Sequence, residues 1–206
     1  MIVSKEMKTA YQDFLEDFGF NLDPTILHYV KLFDGGKQVV FFHHISNSDS
    51  NCIEVQLGIR IDAVEDIINQ FLPSLGDFSE RSTTLIMPID QINANMQRRY
   101  FIKDEKEVPE VLKKIESHLV KDGFRWLDRY SDPIVLEDYF NNNPDQEFIT
   151  QNFTYRSARA ITLCKLYNPD NYKDKKKAYL DKLEEMMVTP FTLASFLNLL
   201  NYLENN

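Results

Sequence analysis

Residues 39–61 read VVFFHHISNSDSNCIEVQLGIRI, and this stretch decides the fold class. From Ile53 onward the side chains alternate: Ile53, Val55, Leu57, Ile59 and Ile61 point one way, while Glu54, Gln56, Gly58 and Arg60 point the other. A side-chain period of two marks a half-buried antiparallel strand. The evenly apolar Val39-Val40-Phe41-Phe42 precedes it across the polar turn Asn47-Ser48-Asp49-Ser50, so the two runs form a hairpin with an apolar face to be covered.

Working outward, residues 26–33 form a strand joined to 38–45 by Asp34-Gly35-Gly36-Lys37, because glycine reaches the positive φ that tight turns require. The result is a three-stranded meander at about 26–61, marginal alone and in need of helices. Three candidates lie near 5–18, 62–75 and 107–122. The first is capped by Ser4, carries Tyr11, Phe14, Leu15 and Phe18, and stops at Gly19. In the second, Asp62 and Glu65 have capping-box spacing ahead of Val64, Ile67, Ile68, Phe71 and Leu72, with a stop at Gly76. In the third, Val108, Val111, Leu112, Ile115 and Leu119 form the stripe and Gly123 the stop. Further strands are expected at 83–87 and 99–102.

Asp132-Pro133 opens a short helix, and the asparagine-rich 141–145 reads as a linker. Beyond it the chain is helical: 155–167, 170–187, and a last helix capped by Thr189 with Pro190 in its first turn, running to about 203. The fold class is therefore α+β, an antiparallel sheet covered by helices, with residues 1–143 as the α+β domain and 144–206 as a helical subdomain.

With 206 residues, 43% of them hydrophobic, the chain can bury one substantial core. The net charge of -9 opposes binding to a phosphate backbone and favours a basic protein partner over nucleic acid. Two cysteines, Cys52 and Cys164, make neither a zinc pattern nor a disulfide framework. The opening MIVSKEMK lacks a signal core, and no run reaches the about 18 apolar residues of a spanning helix, so no membrane association and a cytoplasmic location are expected.

Several segments together resemble a family of uncharacterised bacterial α+β proteins, a domain of unknown function: Phe18-Gly19-Phe20, the strand with Tyr29, Val39-Val40-Phe41-Phe42, 53–59, and Gly123-Phe124-Arg125-Trp126-Leu127. The resemblance implies the α+β fold and brings no established activity or catalytic residues.

For chemistry, one row stands out. If Gly35-Gly36 and Ser48-Asp49 are the turn centres, His28, His43 and Glu54 cross the three strands side by side, a set that would hold a metal or orient an imidazole base. A solvated polar row is the plainer alternative. His44, on the other face with Val40 and Phe42, is a core or edge histidine. Lys173, Lys175, Lys176 and Lys177 form the densest basic run, more often a solvated helix face than a nucleic-acid site. Trp126, placed outside a regular helix, reads first as a packing anchor between layers, and with Arg125, Arg129 and Tyr130 it is, as the alternative, a candidate partner-binding group. Met186-Met187 and 191–196 are read as core packing by default, with a pliable binding face as the alternative. No phosphate loop, nucleophile elbow or metalloprotease helix occurs, and no cofactor is implied. The chain thus reads as a non-catalytic binding module for a basic protein, such as an immunity or regulatory protein, with a small metal-dependent hydrolase built on His28, His43 and Glu54 as the alternative.

Overall fold

The alternation over 53–61 builds β4 (Asn51–Ile61), the strand on which a six-stranded antiparallel sheet is assembled. A computed structural model describes residues 5–46, 51–72, 79–142 and 151–206. The fold is α+β, with the strands in meander order. The chain divides into two compact units, Met1–Arg60 with Leu85–Arg129 and Ile61–Thr84 with Tyr130–Asn206. Each unit is built from two chain segments, so the division does not follow a single cut at 143.

In the sheet-bearing unit, α1 (Lys5–Asp17) leads into β1 (Asn21–Asp23), β2 (His28–Phe33) and β3 (Gly36–Ser46). β1 was not foreseen. It pairs with β2 through a turn in which Asp23 accepts the Thr25 N–H at 2.9 Å and Leu27 takes φ 56°. β2 and β3 pair with Phe33 opposite Gly36, so Asp34-Gly35 is the two-residue turn and Gly35 carries its positive φ of 83°. Gly36 is needed for a different reason. A Cβ there would lie 2.0 Å from the Arg60 carbonyl oxygen.

β5 (Leu85–Pro88) and β6 (Arg99–Ile102) pair with successive halves of β4, Leu57 opposite Met87 and Ile53 opposite Tyr100. The turn at 47–50 between β3 and β4 lies outside the described residues, as do Ser4, Gly76 and most of the 141–145 linker. Val39, Val40 and Phe41 are all buried, so this part of β3 is withdrawn from solvent on both faces. On one face, Tyr11 of α1 stacks on Phe42 at 4.1 Å. α1 ends as its sequence indicates: Gly19 at φ 82° donates to Glu16, and the Phe20 N–H reaches the Leu15 carbonyl at 2.9 Å.

The second Gly-Phe pair behaves otherwise. α4 (Val108–His118) does not stop at Gly123 but runs through a π turn, Leu119–Gly123, into α5 (Phe124–Tyr130). Gly123 is there for space: a Cβ would meet Leu119 and Leu57 side chains at 3.0 and 3.1 Å. Phe124 then gathers Phe14, Phe18 and Phe20, with centroid distances of 6.2, 4.6 and 5.5 Å. Trp126 therefore lies on a regular helix, contrary to the expectation. Between β5 and β6 sits the one-turn α3 (Ile89–Ile92).

In the helical unit, α7 (Phe153–Tyr167) is the hub, with every residue from Arg156 to Cys164 buried. α2 (Asp62–Ile68), α6 (Pro133–Asn141), α8 (Tyr172–Glu185) and α9 (Pro190–Asn205) all pack against it. A buried helix carrying two arginines requires partners for them. Arg156 donates to the Phe140 carbonyl at 2.9 Å, and Arg159 forks onto Glu65. Glu65 is thus no capping-box residue, and α2 has no side-chain cap. Asn141 completes the network: it donates to Glu137 and to the Ala160 carbonyl, both at 3.0 Å, and accepts from Tyr179 at 2.9 Å. Asp132 and Thr189 cap α6 and α9 as expected, accepting from Ile134 and Thr192.

Candidate functional site

The three-residue row does not assemble in the expected register. With Tyr29 opposite Val40, the cross-strand neighbour of His28 is Phe41, its ring 4.3 Å away edge-on, and His43 lies beyond Phe41 at 6.1 Å. Moving the turn from Gly35-Gly36 to Asp34-Gly35 shifts the pairing by two residues. An even shift keeps both histidines on one face while separating them. Glu54 is engaged elsewhere, accepting from Gln56 at 3.0 Å and Arg99 at 3.1 Å with Arg98 at 3.4 Å. Burial alone would raise its carboxyl, but these donors hold it below the usual range. Among the described residues, no group of three histidines, cysteines or acids is placed to hold a metal ion. His44 sits beside the Tyr11 ring at 6.1 Å.

The basic run on α8 is partly committed within its own unit. Lys175 donates to the Asn141 carbonyl and Lys176 pairs with Glu204 of α9. On α5, Arg125 and Arg129 are exposed, Trp126 and Tyr130 are half-buried, and the fully buried residue is Leu127. Tyr130 packs edge-on against Tyr139 at 5.0 Å.

The α8–α9 turn is the most unusual surface. The Met187 N–H bonds the Glu184 carbonyl at 2.9 Å and the Val188 N–H reaches the Leu183 carbonyl at 3.3 Å, the paired bonds of a helix stop that normally has glycine in the left-handed position. Here that position holds Met187, at φ 50° and 88% exposed. Met186 next to it in sequence and Phe191 and Leu197 on α9 are also exposed, whereas Phe196 is core. The last turns of α8 also carry exposed Asp181, Glu184 and Glu185, with Lys182 paired to Glu185 at 3.2 Å. Carboxylates at a helix C-terminus oppose the helix dipole. Two local rules are thus broken within seven residues of sequence, Asp181 to Met187.

A second feature lies in the sheet-bearing unit and escaped the sequence reading. A cleft of about 740 Å³ between α4 and the 93–100 segment has His118 in its wall. His118 is 3% exposed, its Nδ1 3.4 Å from Asp122 Oδ2, and Asp122 is held by Asn93 Nδ2 at 2.7 Å. Burial lowers the imidazole pKa, against the pull of Asp122, so the ring is neutral at physiological pH. The signal that marks it in sequence is the fourth-residue recurrence Glu110, Lys114, His118, Asp122, adjacent to the apolar stripe that defines the helix.

No protein-family model matches the chain, and no curated protein or solved structure matches it. Among the described residues no helix is long and apolar enough to cross a membrane.

Proposed function

We propose that this protein is a non-catalytic binding module that docks a basic, amphipathic segment of another protein on the α8–α9 turn, in the manner of an immunity or regulatory protein. The observation that carries this reading is Met187, a large apolar side chain displayed at a left-handed helix stop. A non-glycine residue in that conformation costs about 1–2 kcal/mol, and strain of this kind concentrates at functional positions. Methionine adapts to varied apolar partners, and Phe191 adds a rigid aromatic anchor. The carboxylates of Asp181, Glu184 and Glu185 supply charge for a lysine- or arginine-rich partner, in keeping with the net charge of -9.

A fluorescent lysine–leucine amphipathic helix titrated into the protein tests the reading by anisotropy. Binding that weakens with salt and falls at least about tenfold in Met187→Ser/Phe191→Ser, equivalent to about 1.4 kcal/mol, is expected. Equal binding by the variant overturns it. So does self-association of the wild type that the same variant abolishes, since the turn would then be a contact between copies.

A further inference from the structure

Along α4 and the π turn, two sets of side chains recur at every fourth position: Glu110, Lys114, His118 and Asp122 in one row, and Lys113, Ser117 and Lys121 in the next. On a helix such spacing stacks each set on one face, and both rows line the cleft described above. The inner row is internally paired at both ends. Lys114 bonds Glu110 at 2.8 Å, and His118 Nδ1 faces the Asp122 carboxylate. In the outer row, Lys113 and Lys121 are exposed and have no ion pair among the described residues.

His118 Nε2 is the informative atom. Asp122 Oδ2 stands 3.4 Å from Nδ1 without forming a hydrogen bond, and its charge favours the ring proton on that nitrogen, with Nε2 as the acceptor. Yet both ring nitrogens are buried, and neither Nδ1 nor Nε2 has a hydrogen-bond partner among the described residues. A buried acceptor left unmade costs about 1–3 kcal/mol, so a purely structural histidine would be satisfied from within. An acceptor in a cleft wall is met by an incoming O–H or N–H.

We propose that this cleft binds a small hydroxylated anion of the sugar-phosphate class, with His118 Nε2 accepting a ligand hydroxyl and Lys113 and Lys121 holding the phosphate. The volume lies within the roughly 300–1,000 Å³ of small-molecule sites. Lysine serves phosphate as a point charge, and two of them flanking Ser117 place that charge at the rim while the hydroxyl-reading atom sits in the wall. Asn95 and Gln97, both exposed on the facing segment, supply amides for further hydroxyls. This site belongs to the sheet-bearing unit and stands or falls independently of the helical turn.

The test is NMR of the full chain with ring-labelled histidine, titrated in parallel with ribose 5-phosphate, ribose and inorganic phosphate. Ribose 5-phosphate is expected to move the His118 Nε2 resonance to saturation and to bind about tenfold or more tightly than either fragment. His118→Gln, with an unchanged thermal midpoint, is expected to lose about tenfold in affinity. If that variant does not fold, Lys113→Gln/Lys121→Gln on the exposed rim gives the second readout: weaker binding with a shallower salt dependence. The proposal is overturned if His118 signals stay unmoved at millimolar ribose 5-phosphate, if inorganic phosphate binds equally well, or if His118→Gln or the rim variant binds like wild type.

Discussion

Arg159 and Glu65 meet through two parallel hydrogen bonds, Nε to Oε1 at 2.8 Å and Nη2 to Oε2 at 3.0 Å, although 94 residues separate them in the chain. Both are buried, Glu65 completely. Removing one member of such a pair strands the other charge, so Arg159→Met should cost about 3–5 kcal/mol in urea unfolding, while Glu65→Leu/Arg159→Met should recover much of the loss. The pH dependence should also weaken. In wild type, burial raises the Glu65 carboxyl, but Arg159, with the Thr84 and Ser82 hydroxyls, more than reverses this and leaves it below its ordinary 4.5. Its stabilisation is then present above 4.5 and lost as pH falls through the lower, folded value. In Arg159→Met burial is opposed only by the Thr84 and Ser82 hydroxyls, so the folded pKa should rise relative to wild type and the variant should lose less of its stability in acid.

The glycines of the β2–β3 turn should be unequal. Gly36→Ala drives a methyl into a backbone carbonyl and should cost about 3 kcal/mol. Gly35→Ala meets open space and should cost only the left-handed backbone penalty, about 1–2 kcal/mol. Thermal midpoints in that order check the register; a reversed order would place the turn elsewhere.

Met187→Gly separates folding from binding. It relieves the left-handed strain and should stabilise the protein by about 1 kcal/mol while weakening capture of the basic peptide. Loss of stability on this change would mean that the methionine packs within its own unit.

Both cysteines should be inert in the native state. Burial and the neighbouring Glu137 push the Cys164 thiol up to about 12, and burial also raises Cys52. A thiol above its ordinary range holds its proton at neutral pH and attacks slowly. Labelling with an aromatic disulfide at mildly alkaline pH should follow unfolding; a fast burst from the folded protein would contradict the burial.

What the sequence disclosed follows from how local each signal is. Strict alternation over 53–61, the caps at Asp132 and Thr189, and the stop at Gly19 depend on a few neighbouring residues, and all are found in the fold. Glu65 misled because capping-box spacing is local whereas its actual partner lies on α7. Gly123 misled because a glycine chosen for close packing looks the same in sequence as one chosen for positive φ. The His28–His43 pairing expected for the row rested on one turn placement, two residues away from the observed register, while the His43–Glu54 pairing rests on the turn at 47–50, outside the described residues. For His118 the fourth-residue recurrence marks only a helix face, while the unmet hydrogen bonds of its buried ring are a property of the folded chain.

Because each unit is woven from two stretches of chain, the order of synthesis matters. Residues 61–84 leave the ribosome well before α7, and at about 5–20 residues per second the wait between Glu65 and Arg159 is roughly 5–20 s. During that interval Glu65 is an ordinary hydrated carboxylate, which favours a soluble nascent α2 over premature burial. The helical unit can therefore close only late, when the arginine that neutralises its innermost acid has been made.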